Sequence, residues 1–223
     1  MRNKQRIGIL GGTFNPIHSG HLKAAGEVQE KFRLKKILFI PSYIPPHKES
    51  VDIASPHDRL RMVKLALSPY SQFAASSVEI EAKGRSYSIY TLKKMKKKFP
   101  LAVIFFILGI DAFLEIDTWR EYKKVLEQCY FIIVSRPGYR LEEASAALPS
   151  EYRERMVEVR GKKEIGVDLL HSHKMFIFPM ESLDIASTEI RKRIRQGKSI
   201  QGLVPEAVKD YILENKLYRI SDD

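Results

Sequence analysis

Two histidines three residues apart, His18 and His21, stand where an apolar, strand-like run gives way to a helical pattern. They follow the apolar residues 7–10 and the pair Gly11 and Gly12. Glycines let backbone amides approach a ligand closely because they carry no Cβ. The first turn of a helix has free N–H groups and partial positive charge, which favour phosphate. Two imidazoles on one face of that turn would add hydrogen-bond donors for phosphate oxygens.

The spacing argues against other kinds of site. The stretch GGTFNPIHSGHL matches neither G-x-x-x-x-G-K-[ST] nor G-x-G-x-x-G, so it predicts neither a P-loop nor a dinucleotide-binding turn. Zinc would need a third ligand of suitable type, and the neighbouring sequence supplies none. A lone histidine is more often structural, but a pair directly after a glycine-rich strand exit favours phosphate binding.

Apolar runs that alternate with helical patterns must position this turn. Strands are expected at residues 7–10, 36–41, 73–80, 101–108, 131–134 and 174–178. Helices are expected at residues 18–32, 56–67, 87–99, 141–160, 187–196 and 205–215, with one or two more within 111–128. The alternation predicts an α/β fold, a Rossmann-like doubly wound parallel sheet with helices on both faces. Ligands of such folds bind beyond the carboxyl ends of the strands, where the candidate site residues are therefore sought.

The chain length of 223 residues fits one domain, and no repeat or linker divides the sequence. We expect a single domain at 1–223, with a Rossmann-like core at 1–180 and a small C-terminal helical part at 181–223. No apolar run reaches the roughly 20 residues that span a bilayer. Because the single cysteine, Cys129, excludes an internal disulfide and no signal-peptide pattern is present, a cytoplasmic protein is expected.

The formal net charge of +11 comes from 38 Lys and Arg against 27 Asp and Glu. Such an excess attracts nucleic acid, anionic membranes or phosphorylated small molecules. The densest group of lysines lies at residues 93–98, but Leu92, Met95 and Phe99 give this segment helical apolar spacing. We interpret these lysines as the solvated face of a helix, because a nucleic-acid site would need exposed aromatic residues among them.

The stretch GGTFNPIHSGHL resembles the G-T-F-x-P-x-H-x-G-H signature of the nucleotidyltransferase superfamily. Later segments narrow the resemblance to the bacterial nicotinate mononucleotide adenylyltransferases, over essentially the whole chain. These segments are PPHK, SPHDRLRMV, GRSYSIYTL, LGIDAF, TWREY, RPG, IASTEIRKRI and GLVPEAVKDYILENKLY. The resemblance implies adenylyl transfer from ATP to nicotinate mononucleotide in NAD biosynthesis, with deamido-NAD and pyrophosphate as products.

The resemblance also implies which residues bind each substrate. His18 and His21 would act in catalysis, as fixed donors for charge on ATP. The further ATP-binding residues would be Gly11, Gly12, Thr13, Phe14, Lys48, Gly109, Asp111, Ser187, Thr188 and Arg191. The nicotinate mononucleotide would be bound by Tyr87, Ser88, Trp119 and Arg136, with the pyridine ring stacked on Trp119. Mg²⁺ would arrive with ATP, held mainly by the triphosphate, and no metal site of the protein itself is expected.

Two departures from the family pattern bear on this site. Asn15 stands where an acid is usual, which is a variant that the family also uses. Ala186 stands where the family usually has serine, so an S-x-x-E capping box with Glu189 is lost. We expect the cap of that helix to shift to Ser187 or to come from Asp184.

Several alternatives stay open. The enzyme could prefer nicotinamide mononucleotide, or use another phosphorylated acceptor of the same superfamily. Taken alone, Lys48 fits an ordinary surface lysine, and Trp119 fits a core residue. A basic nucleic-acid-binding protein is the alternative outside the enzymes. Small-molecule substrates are the expected partners, with neither nucleic acid nor membrane, and the oligomeric state stays open, a homo-oligomer included.

Overall fold

A computed structural model describes residues 4–45, 53–135, 141–146, 148–161, 165–180 and 185–219. The strands in these ranges are β1 Arg6–Gly12, β2 Lys36–Pro41, β3 Phe73–Ala75, β4 Val103–Gly109, β5 Tyr130–Ser135, β6 Met156–Glu158 and β7 Met175–Pro179. The helices are α1 Ser19–Lys31, α2 Pro56–Leu67, α3 Val78–Ala82, α4 Ser88–Lys98, α5 Ile110–Leu114, α6 Tyr122–Gln128, α7 Leu141–Ala146, α8 Ser150–Arg153, α9 Val167–Ser172, α10 Ser187–Arg195 and α11 Glu206–Glu214, with a 3-10 helix at Ile116–Thr118.

The strands form one parallel sheet in the order β3-β2-β1-β4-β5-β7-β6. The chain passes from β1 to β2 and β3 on one side, and continues from β4 on the other side of β1. The strand order therefore reverses between β1 and β4, where Leu10 pairs with Ile107. This confirms the predicted doubly wound α/β fold, and it puts a topological switch point at the carboxyl ends of β1 and β4.

The apolar composition of β4 accounts for its place in the middle of the sheet. Five successive residues, from Ile104 to Leu108, are buried, as in strands that are covered on both faces. Its neighbour β5 has the same character, and the two pair in parallel from Phe105 with Tyr130 to Gly109 with Val134. The sequence predicts β4 at 101–108, and in the structure β4 begins two residues later and ends one residue later, at Val103–Gly109.

Contacts divide the chain into two compact units. The first comprises Met1–Gly11, Ala24–Leu38 and Tyr87–Ser182, and the second comprises Gly12–Lys23, Phe39–Ser86 and Leu183–Asp223. The boundary expected near residue 180 between a core and a C-terminal part stays a prediction. No helix within the described ranges has the length and apolar character that crossing a membrane requires.

The strand predicted at residues 73–80 is wrong in its second half. The strand ends at Ala75, after which the N–H of Ser76 still donates to the carbonyl of Phe39. Residues Val78–Ala82 form the short helix α3, with acids in the first turn, where they favour the positive end of a helix. Val and Ile at residues 78 and 80 suggest a strand by propensity, but only Ile80 is buried here.

The helix predicted at residues 141–160 is also wrong. Two short helices, α7 and α8, occupy its first part, with Pro149 immediately before α8. Residues Met156–Glu158 instead form strand β6, which pairs with Met175 to Ile177 of β7. This edge strand cannot be recognised from its charged local sequence, because it forms by pairing with a strand almost twenty residues further along the chain.

The lysine-rich helix α4 confirms the amphipathic interpretation. Leu92 and Met95 are buried, whereas the lysines at residues 93, 94, 96, 97 and 98 are exposed. The lysines therefore cover the solvent side of a helix whose other side contacts the core.

Candidate active site

The glycine-rich turn after β1 is shaped by an aromatic side chain. Phe14 is buried and has a left-handed backbone, with φ of 49°. A Cβ on Gly12 would lie 3.3 Å from the Phe14 ring, so a side chain there would press against it. The same ring contacts His21 edge-on, with 5.2 Å between centroids. Phe14, predicted to bind ATP, thus packs against His21 from within the turn.

His18 and His21 form a fixed pair at the beginning of α1. The N–H of His18 donates to Nδ1 of His21 at 3.3 Å, and the two ring centroids are 3.7 Å apart. The helix start is anchored by Ser19, whose N–H and hydroxyl donate to the carbonyls of Leu203 and Gly202. This arrangement gives two imidazoles in defined orientations at the beginning of a 13-residue helix, where the N–H groups of Ser19 and His21 already donate to backbone carbonyls.

Helix α10 contacts the same turn through two of the predicted ATP-binding residues. The Ser187 hydroxyl donates to the carbonyl of Pro16 at 2.9 Å, and Arg191 donates to the carbonyl of Asn15 at 2.8 Å. Nε of Arg191 is buried and has no hydrogen-bond partner among the described residues. The structure therefore brings Ser187 and Arg191 to the segment that precedes His18, and Arg191 retains a donor.

The beginning of α10 confirms that the capping box is lost. Ala186 occupies the N-cap position with an extended backbone and no side-chain cap. Ser187 does not replace it, because it is the first helical residue and its hydroxyl is bonded to Pro16. Asp184, the other expected cap, lies outside the described residues. Thr188 is exposed in the first turn.

The other compact unit contains the residues at the carboxyl end of β4. A Cβ on Gly109 would meet no atom within 4 Å, and its φ of −72° suits any residue. Neither packing nor backbone conformation thus requires glycine there, and the ATP contact expected at Gly109 stays a prediction. Asp111 is exposed in the first turn of α5, and Gly11 lies against the Phe106 ring.

Three predicted mononucleotide-binding residues belong to that same unit. Trp119 is half-buried and packs edge-on against Phe106, with 6.1 Å between ring centroids. Tyr87 is the N-cap residue of α4, and Ser88 is its first helical residue. The Arg120 guanidinium lies over the Tyr87 ring at 5.0 Å. Sequence reasoning missed Arg120, although it directly follows the tryptophan.

Two predicted ligands, Lys48 and Arg136, lie outside the described residues. Of the rest, the structure brings His18, His21, Ser187 and Arg191 together in one compact unit. Across the described part of the chain, no group of three or more His, Cys, Asp or Glu side chains could hold a metal ion.

Arg59 was also missed by sequence reasoning. It is fully buried and donates to the carbonyl of Thr13 at 2.8 Å. The sequence did indicate that Arg59 is buried, because it lies on the face of α2 that carries the apolar residues Leu60, Met62 and Val63, which are all buried. A charged residue on an apolar helix face must find partners inside the protein.

Comparison of the sequence with known proteins shows the family to which the chain belongs. A family model described as cytidylyltransferase-like matches residues 9–193. A probable nicotinate-nucleotide adenylyltransferase from Desulfitobacterium hafniense is 44% identical over 97% of both chains. A protein of the same name from Geotalea daltonii is 40% identical over 96% of this chain and 98% of its own. The chain belongs to the cytidylyltransferase-like family and, within it, to the nicotinate-nucleotide adenylyltransferases.

Solved structures support the fold of this adenylyltransferase family member. The Plasmodium falciparum nicotinic acid mononucleotide adenylyltransferase, complexed with NaAD, superposes with a TM-score of 0.71. The alignment covers 96% of this chain and 97% of that one, at 20% sequence identity. The same enzyme complexed with APC gives a TM-score of 0.68. The arrangement of strands and helices is therefore shared although most side chains differ.

Proposed function

We infer that the chain transfers the adenylyl group of ATP to nicotinate mononucleotide, which yields deamido-NAD and pyrophosphate. The observation that carries this conclusion is the His18–His21 pair, which is fixed by its own hydrogen bond at the beginning of α1. Relatives that are 40–44% identical over nearly the full length bear the name nicotinate-nucleotide adenylyltransferase. The net charge of +11 suits a protein that must bring together two polyanionic substrates.

The reaction needs no base or covalent intermediate from the protein. The nucleophile is the 5′-phosphate of the mononucleotide, whose second pKa is about 6, so it is mostly dianionic at neutral pH. One of its oxygens forms a bond to the α-phosphorus of ATP as the bond to the pyrophosphate oxygen breaks. Catalysis then depends on aligning two anions and on stabilising the charge that develops on the α-phosphate and the leaving group.

His21 is well placed for this electrostatic role. Its Nδ1 accepts a hydrogen bond from the backbone, so the neutral ring carries its proton on Nε2 and can donate from there. His18 lies against it, and the beginning of α1 adds the positive end of a helix dipole. These groups are fixed before substrate binds, so little reorganisation accompanies the reaction. Gly12, Thr13 and Arg191 would complete the phosphate contacts, with Lys48, Ser187 and Thr188.

The family resemblance implies that the adenosine and the mononucleotide contact residues at the carboxyl end of β4, at the beginning of α4 and around Trp119. Gly109 offers close backbone approach, and the Asp111 carboxylate can accept hydrogen bonds from ribose hydroxyls. Trp119, half-buried and held at its edge by Phe106, suits stacking of a pyridine ring. Tyr87 and Ser88, at the beginning of α4, would contact the nucleotide together with Arg136.

Mg²⁺ is proposed as the metal that accompanies ATP. Magnesium prefers six oxygen ligands, retains several waters and commonly binds through substrate phosphates. Bound there, it would neutralise charge on the phosphates. A cytoplasmic location is proposed as well, because the single cysteine leaves no disulfide to form.

A pyrophosphate-release assay tests the proposal. Purified protein is mixed with ATP, Mg²⁺ and, in separate reactions, nicotinate mononucleotide, nicotinamide mononucleotide and a phosphorylated non-pyridine acceptor. Release with nicotinate mononucleotide, together with deamido-NAD as the adenylated product, is expected. Stronger release with nicotinamide mononucleotide would reverse the substrate preference, and no release with either pyridine nucleotide would refute the function.

A further inference from the structure

Arg59 is a fully buried charge whose partners are all backbone carbonyls. Its side chain is 0% exposed. Nε donates to Ala54 at 3.0 Å, one terminal nitrogen to Thr13 at 2.8 Å, and the other to Tyr43 at 3.1 Å. The described residues give it no ion pair. Burial lowers the pKa of Arg59, but an arginine keeps its proton in proteins.

The three carbonyls come from three separate segments of one compact unit. Thr13 lies in the turn after β1, Tyr43 follows β2, and Ala54 precedes α2. A guanidinium is planar and its donors have fixed directions, so one side chain sets the relative positions of all three segments. Ala54 is tied to the turn a second time, since its N–H donates to Oδ1 of Asn15 at 3.0 Å.

We propose that Arg59 is a positioning residue for the triphosphate of ATP, acting through the backbone of the turn that leads to His18. This inference rests on the proposed function. The Thr13 carbonyl fixes the peptide that enters the left-handed Phe14, whose ring contacts His21. A shift of the Thr13 peptide would therefore displace the turn amides and the support of the histidine together.

The charge of Arg59 contributes separately from its shape. Carbonyl oxygens solvate a cation without cancelling its charge, and the Glu79 carboxylate acts on this charge as well, which raises the pKa of Arg59 against the larger effect of burial. A charge in a poorly solvated place acts on an anion more strongly than one in water. An anionic phosphate on the turn is a counter-charge for Arg59. A lysine at this position keeps the charge but loses the planar guanidinium that donates to three carbonyls at once, whereas a glutamine loses the charge.

The experiment compares Arg59→Lys and Arg59→Gln with Arg61→Lys, an exposed arginine on the same helix. Initial rates are measured well below the melting temperature of each variant, with ATP and nicotinate mononucleotide varied in turn. A misplacement of about 1 Å can cost two orders of magnitude in rate. We expect Arg59→Lys to lower kcat/KM for ATP about tenfold or more, and Arg59→Gln to lower it further. KM for the mononucleotide and the Arg61→Lys enzyme should stay close to wild type.

Stability measurements separate positioning from a purely structural role. A lowered Tm for Arg59→Lys with wild-type kinetics for ATP would overturn the inference, as would an equal loss for both substrates. If the Arg59 variants do not fold, Asn15→Ala removes the second tie to Ala54 and must show the same ATP-selective loss. Wild-type kinetics in that variant would also overturn it. An inactive wild-type enzyme counts against the proposed function instead, so the two failures are distinguishable.

Discussion

The N–H of His18 donates a hydrogen bond to Nδ1 of His21 across 3.3 Å. This bond decides which nitrogen of a neutral His21 ring carries the proton. A neutral imidazole has one donor and one acceptor nitrogen, so the proton is on Nε2. The pair is thus better described as an oriented donor held by its own backbone than as an acid and a base.

Substitutions of His21 separate the roles of the two ring nitrogens. The glutamine amide reaches the position of Nε2, whereas the asparagine amide reaches only that of Nδ1. Loss of one transition-state donor lowers kcat about 10²- to 10³-fold. We expect this loss in His21→Ala and His21→Asn, and a smaller loss in His21→Gln, measured at saturation with both substrates. Wild-type turnover in His21→Ala would remove His21 from the catalytic machinery.

The sequence predicts the fold well where hydrophobic runs are long. The strand at 101–108 is recognised within two residues because its long apolar run is buried. The helix at 187–196 is recognised within one residue because Ile190 and Ile194 recur at helical spacing among charged residues. The short elements fail for a different reason. Strand β6 is a strand because it pairs with β7. Helix α3 directly follows strand β3 and has a single buried residue, Ile80. Such elements depend on contacts that no local window contains.

The candidate site shows a similar division. Residue types that are suited to binding phosphate, such as His18 and His21, can be recognised from their spacing after a glycine-rich strand exit. Residues that act on the backbone are not, because the partner of Arg59 is a carbonyl, which every residue type provides. Ser187 illustrates the same point, since its hydroxyl bonds to the carbonyl of Pro16, 171 residues away in the sequence.

Trp119 gives a prediction with a built-in optical probe, because it is the single tryptophan of the chain. We expect nicotinate mononucleotide, but not ATP alone, to change its fluorescence. Trp119→Ala should raise KM for the mononucleotide and leave KM for ATP little changed, because stacking is worth about 0.5–1.5 kcal/mol beyond buried area. Trp119→Phe should retain part of the affinity. An equal rise of KM for both substrates would contradict the stacking role.

Gly109 and Gly26 form a matched pair, since a Cβ on either would meet no atom within 4 Å. Gly26 lies inside α1, so Gly26→Ala should raise the free energy of unfolding by about 0.5–1 kcal/mol without changing activity. Gly109→Ala should cost less than about 1 kcal/mol of stability, as for alanine at an N-cap, but raise KM for ATP. Urea unfolding and initial rates measure both. Unchanged ATP kinetics in Gly109→Ala would exclude close approach of the adenosine.

Tyr218 makes stability depend on alkaline pH. Its hydroxyl is buried without a hydrogen-bond partner among the described residues, and burial raises the pKa of Tyr218. Above pH of about 10 the unfolded chain loses this proton and the folded chain keeps it, so stability falls as pH rises. At neutral pH, the free energy of unfolding of Tyr218→Phe should equal or exceed that of the wild type. The difference between the two proteins should grow above a pH of about 10, where the unfolded wild-type chain loses the tyrosine proton. Urea midpoints that fall in parallel for the two proteins would contradict this.

Ala186 leaves α10 without a side-chain cap, and the chain already has the other half of a capping box in Glu189. Ala186→Ser should let the new hydroxyl accept from the Glu189 N–H, and raise the free energy of unfolding by about 1 kcal/mol. Ala186→Gly, which gives an N-cap residue without a hydroxyl, is the control for backbone effects. Ser187→Ala should act in the opposite direction, because it removes the hydrogen bond to the Pro16 carbonyl that connects α10 to the turn after β1. Urea unfolding of the four proteins gives the comparison. A serine variant no more stable than the glycine variant would mean that the hydroxyl does not cap the helix.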